Sequence, residues 1–128
     1  MTDNDLETGA RTWVGLAALN GLMGVSAGAF GAHAAADPAV REWLRTGAQY
    51  QLVHAVAALA VLAVFRRAGW AARLFCAGAL VFGGSLYLMA LTGARTLGMV
   101  TPVGGVLLLA GWATLIWRML PTRRPPQA

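Results

Sequence analysis

Residues 12–36, TWVGLAALNGLMGVSAGAFGAHAAA, contain no Asp, Glu, Lys or Arg. A helix needs about 20 apolar residues to cross a hydrocarbon core about 30 Å thick, so this run can span a bilayer. Three more apolar runs follow it. The second extends from about 48 to 65 and stops at Arg66 and Arg67, the third from about 74 to 91 lies between Arg73 and Arg95, and the fourth from about 101 to 117 stops at Arg118. The pattern predicts an all-α fold: one membrane domain over residues 1–128, built as a four-helix transmembrane bundle.

Local signals refine the ends. Thr101 is a favoured N-cap, and Pro102 suits the first helical position, where its missing N–H costs nothing. Asp37 and Pro38 repeat that pattern ahead of Val40, Trp43 and Leu44, which are set among Arg41, Glu42 and Arg45. This stretch reads as a short interfacial helix between helices 1 and 2. The tail 121–128 is polar and proline-rich, the composition of a disordered segment.

Composition agrees with a membrane chain. It is 58% hydrophobic with 12% charged residues and a mean hydropathy of +0.60, whereas about a quarter of the residues of a soluble domain are charged. Ten arginines against five acids give a net charge of +5, yet these arginines bracket apolar runs instead of forming a patch. That placement makes the lipid bilayer the partner and excludes nucleic acid. Arg11, Arg66, Arg67, Arg73, Arg118, Arg123 and Arg124 fall on one side, and Arg41, Arg45 and Arg95 on the other. The asymmetry places both termini in the cytoplasm. Ala32-His33-Ala34 has the look of a signal-peptidase site, but the tail before the run is acidic and the run exceeds a signal core of about 7–15 residues. The single cysteine, Cys76, cannot form an internal disulfide and reads as a small buried apolar residue.

Gly21, Gly24, Gly28 and Gly31 fall within an arc of roughly 80° on helix 1, which strips one face for close helix packing, within the bundle or against a second protein. In helix 2, Tyr50, Gln51 and His54 share a side by their spacing. A histidine this deep should face the interior and be hydrogen-bonded. With His33 ending helix 1, Ser85, Tyr87 and Thr92 in helix 3 and Thr101 opening helix 4, the outer half collects most of the polar groups, and a shallow outward-facing pocket is expected there. Asn20 and Cys76 are left in a blander inner half. His33 and His54 are the weak metal candidates, and two histidines on neighbouring helices are in principle suited to axial haem ligation. No acid lies within a span, and the motifs of hydrolytic, nucleotide or redox chemistry are absent from the sequence. No catalytic residue is assigned, and an enzyme is the least favoured class.

The runs 28–33 (GAFGAH), 50–54 (YQLVH), 84–93 (GSLYLMALTG) and 101–105 (TPVGG), with Gly111-Trp112, together resemble the transmembrane protein 256-like family, also called domain of unknown function 423. The resemblance implies a four-helix membrane protein of bacteria and eukaryotic organelles, here of the bacterial inner (plasma) membrane. It brings no biochemical activity and no cofactor. Two functional expectations follow. The first is a protein of unknown biochemical activity acting by association, as a homo-oligomer or as an accessory subunit of a larger membrane assembly. The alternative is a binder or transporter of a small molecule, metal or haem through the outer pocket, with His33, Tyr50, Gln51, His54, Ser85, Tyr87 and Thr101 as ligand-binding residues.

Overall fold

The computed structural model describes residues 3–65 and 69–120. It contains α1 (Asp3–His33), α2 (Pro38–Val64), α3 (Gly69–Thr92), a 3-10 helix (Arg95–Met99) and α4 (Thr101–Met119). The described residues include no strand, and each of the four α-helices is long and apolar enough to cross a membrane. The all-α four-helix architecture is therefore the one expected. Arg66, Arg67, Arg123, Arg124 and the tail 121–128 lie outside the described residues.

Each turn has a local cause. Asp37 caps α2, its Oδ1 accepting the Ala39 N–H at 2.7 Å, with Pro38 in the first turn. Arg41 then reaches back to donate to the Ala35 carbonyl at 2.9 Å, tying α2 to the end of α1. The amphipathic stretch expected as a separate interfacial helix forms the opening turns of α2, in one unbroken helix of 27 residues. Gly47 does not interrupt it, because that glycine is needed where Tyr87 crosses: a Cβ there would lie 2.6 Å from Tyr87 Cε1. α3 ends at Gly93, whose φ of 72° is the left-handed conformation that favours glycine, and its N–H closes on the Met89 carbonyl at 2.8 Å.

Thr101 does not act as the N-cap expected of it. Val100 holds that position without a side-chain bond, and the Thr101 hydroxyl instead meets Ser85 Oγ on α3 at 2.7 Å. The 3-10 helix feeds directly into α4, and the Val103 N–H bonds to the Val100 carbonyl. That backbone bond supplies part of what a capping side chain would have provided.

Successive helices run antiparallel. Against α2, Gly24 meets Ala48 and Leu52 while Gly31 meets Leu44 and Arg41; against α4, Gly78 meets Leu108 while Gly104 meets Phe82. α3 packs on α1, α2 and α4, whereas α1 and α4 share no extended contact. The start of α1 and the end of α4 thus lie at one end of the bundle, called here the terminal end, and the turns before α2 and α4 at the other. Lipid offers no hydrophobic force between helices, so contact energy comes from close approach of small surfaces. Ala17, Ala58, Ala71, Ala72, Cys76 and Ala79 accordingly form the core around Phe75 and Leu108.

Candidate functional site

Gln51 is fully buried, and its side chain is the centre of a polar relay through three helices. Its Nε2 donates to Asn20 Oδ1 at 2.9 Å on α1, and its Oε1 accepts from the Tyr87 hydroxyl at 2.7 Å on α3. Asn20, 2% exposed, donates in turn to the Leu16 carbonyl at 3.0 Å and the Cys76 carbonyl at 3.4 Å. Glycines make room for the crossing: a Cβ on Gly83 would lie 3.1 Å from Gln51 Oε1. No buried side-chain nitrogen or oxygen among the described residues lacks a partner. The relay is closed on itself, as hydrocarbon demands where no water can complete an unmade bond.

His54 sits four residues further along α2 than Tyr50, on a different side from Gln51. Its Nδ1 is 2.7 Å from the Tyr50 carbonyl, and its Nε2 lies 3.2 Å from the Trp112 indole nitrogen of α4. One ring nitrogen faces an acceptor and the other a donor, so these partners select the imidazole that is protonated on Nδ1. The ring packs against Phe75 and Trp112, with centroids 5.6 and 6.1 Å away. Phe75 lies near the start of α3, so His54 belongs to the terminal half of the bundle and not to the half expected for it. The cause is the early start of α2 at Pro38, which places Tyr50 and Gln51, not His54, at mid-helix.

Of the three residues expected on one face, Tyr50 and His54 stay together, their rings stacked with centroids 6.1 Å apart, whereas Gln51 leaves it, because adjacent residues of a helix diverge by about 100°. Gln51 turns to α1 and α3. Tyr50 stacks on Phe82 at 4.5 Å and remains 44% exposed, and its hydroxyl has no hydrogen-bond partner among the described residues. Ser85 and Thr101 join α3 to α4, Ser85 also bonding the Phe82 carbonyl at 2.9 Å. His33 is exposed in the last turn of α1. Neighbouring Gly31 lies against Leu44, ten residues before His54, or about 15 Å along the axis. The two histidines therefore stand at different levels, and the expected ligand set is dispersed over four places instead of lining one pocket. The described residues hold no group of three or more His, Cys, Asp or Glu placed for a metal ion.

Gly24, Gly28 and Gly31 pack on α2, while a Cβ on Gly21 would meet nothing within 4 Å. Two residues that bond the polar groups of the bundle were not singled out from sequence as site residues, the buried Asn20 and the half-exposed Trp112. An asparagine in the middle of an uncharged span was itself a signal, since it must find a buried partner.

A family model described as protein of unknown function (DUF423) matches residues 27–105. The UPF0382 inner membrane protein YgdD of Escherichia coli (strain K12) is 42% identical over 108 residues, covering 78% of this chain and 82% of the relative. A UPF0382 membrane protein of Staphylococcus aureus is 39% identical over 109 residues, covering 79% and 88%, and one of Staphylococcus epidermidis is 36% identical over 113 residues, covering 83% and 93%. No solved structure matches the chain.

Proposed function

The chain belongs to the DUF423 family as a small multi-pass protein of the bacterial inner membrane, and on that premise we propose that it acts by association, as a homo-oligomer or an accessory subunit of a larger membrane assembly. The observation that carries this reading is the pairing of the interior: Tyr87, Gln51 and Asn20 bond one another and the backbone, and no buried side-chain nitrogen or oxygen among the described residues is without a protein partner. A binding site needs convergent groups with unspent donors or acceptors. The competing reading, a binder or transporter of a small molecule, metal or haem, has less support because its residues fall in four separate places.

Tyr50, half-exposed near the middle of α2, carries a hydroxyl without a hydrogen-bond partner among the described residues. A hydrogen-bond acceptor on a neighbouring membrane helix would satisfy it. Both termini face the cytoplasm in this proposal, following the arginine asymmetry. Purification from native membranes in mild detergent, with mass spectrometry of the complex, tests the reading. A stoichiometric partner or a defined oligomer is expected. A monomer that carries a chromophore, metal or organic ligand would overturn it.

A further inference from the structure

At the terminal end of the bundle a shallow groove runs between α3 and α4. Leu74, Ala110 and Ala113 line its apolar part, and Trp70, Trp117 and Arg118 its sides and mouth. The alanines leave the trough open. Of the polar groups that line it, the Thr114 hydroxyl is spent on the Ala110 carbonyl at 2.8 Å, while Trp70 is 62% exposed and Trp117 77%, and neither their indole nitrogens nor the Arg118 guanidinium has a hydrogen-bond or ion-pair partner among the described residues. Arg73 lies 5.0 Å from the Trp70 ring and 5.2 Å from that of Trp13, and this stacking braces one wall of the groove.

An apolar trough edged by two indole donors and the Arg118 cation, which has no acidic partner among the described residues, suits an amphiphile with an anionic head, a class of molecule already in the membrane. We propose that the groove binds an anionic phospholipid, with an acyl chain along Leu74, Ala110 and Ala113 and the phosphate beside Arg118, between the indoles of Trp70 and Trp117. Tryptophans favour the headgroup level, and basic pockets between membrane helices select anionic headgroups. Charge argues against a second copy as the occupant: a two-fold contact sets one patch against itself and would bring the two Arg118 side chains together. The site does not depend on the assembly proposed above.

Native mass spectrometry of the full chain released from detergent micelles, titrated with phosphatidylglycerol or phosphatidylcholine of the same acyl chains, tests the assignment. Preferential retention of phosphatidylglycerol is expected. Arg118→Gln should weaken it roughly fivefold, as for one arginine beside an anionic surface, while Arg11→Gln, at the same end but outside the groove, should change it less than about twofold. Ala113→Leu fills the trough and should reduce retention without changing charge. All three positions are exposed, so the variants keep the fold, and unchanged melting temperatures verify it. Equal retention of the two lipids, or equal effects of the two arginine variants, overturns the proposal. So does a wild-type dimer that Ala113→Leu converts to monomer, because the groove then belongs to a second copy.

Discussion

Gln51 and Asn20 meet side chain to side chain at 2.9 Å where α2 crosses α1, and Tyr87 closes on Gln51 from α3 at 2.7 Å. The two contacts share one amide, so removing Gln51 leaves two buried groups without partners, whereas removing Tyr87's hydroxyl leaves one. Gln51→Met, nearly equal in volume, is expected to lose about 1–2 kcal/mol, and Tyr87→Phe about 0.6 kcal/mol, the scale of single interhelical bonds in membranes. The triple variant Asn20→Leu, Gln51→Met, Tyr87→Phe should lose less than the sum of the single losses, because no orphaned group remains. Reversible unfolding in mixed detergent micelles measures each. Strict additivity would mean that the three residues contribute independently.

The glycines separate by what lies opposite them. A Cβ on Gly104 would clash with the backbone nitrogen of Phe82 and stand 2.8 Å from its Cα, atoms that no side-chain rotation can move. Gly104→Ala should therefore cost about 2 kcal/mol or more by forcing α3 and α4 apart. On Gly24 the obstacle is the flexible Leu52 side chain at 2.8 Å with the Ala48 carbonyl at 3.3 Å, on Gly28 only the Ala48 methyl at 3.5 Å, and on Gly21 nothing. The expected order of melting temperatures is Gly104→Ala lowest, then Gly24→Ala, with Gly28→Ala and Gly21→Ala near or above wild type because alanine is the better helix former. A Gly104→Ala variant as stable as Gly21→Ala would show that the α3–α4 contact is looser than described.

The four spans were legible because an uncharged apolar run long enough to cross the hydrocarbon core is seldom anything but a membrane helix, and the Asp37 cap because its chemistry is local. The interior was legible only in part. His54 was expected to be buried and bonded, and it is, but Trp112 is 58 residues away in sequence, and no local spacing announces such a partner. Asn20 was assigned to a bland half because depth was counted within one helix, whereas its relation to Gln51 depends on where α2 begins. The opening turns of α2 carry charges and a glycine, which read as an interface, and the approach of Tyr87 to Gly47 accounts for that glycine within the unbroken helix. The shared face held for Tyr50 and His54, whose rings stack, and failed for Gln51 for a simpler reason: neighbours in sequence diverge on a helix.

The arginine asymmetry carries a prediction about topology. Among the described residues Arg11, Arg73 and Arg118 lie at the terminal end and Arg41, Arg45 and Arg95 at the other, so the bias rests on Arg66, Arg67, Arg123 and Arg124. Alkaline phosphatase fused after Ala128 should be inactive and a fluorescent protein at the same point bright, because both would stay in the cytoplasm. Replacing Arg66, Arg67, Arg123 and Arg124 together with glutamine should weaken that preference or give mixed topology. A phosphatase fusion active at Ala128 in the wild type would invert the arrangement.

His54 joins α2 to α4 through Trp112, and the two ring nitrogens make the contact chemically specific. With Nδ1 held at 2.7 Å from the Tyr50 carbonyl and Nε2 receiving the Trp112 indole at 3.2 Å, nitrogen NMR of the detergent-solubilised protein should find the Nδ1-protonated imidazole for His54. His33, exposed at the end of α1, supplies the contrast, free to exchange between tautomers. Trp112→Phe keeps the ring stack on Phe75 but removes the donor and should cost about 0.6 kcal/mol, while His54→Gln retains a donor and an acceptor and should cost about 1 kcal/mol or less. His54→Leu should cost more than either, because it strands the Trp112 N–H near hydrocarbon, and adding Trp112→Phe to it should recover part of the loss. An Nε2-protonated His54 would contradict the bond to Trp112. A His54→Leu variant that Trp112→Phe does not improve would show that the indole finds another acceptor, and that α4 is held by its packing on α3 alone.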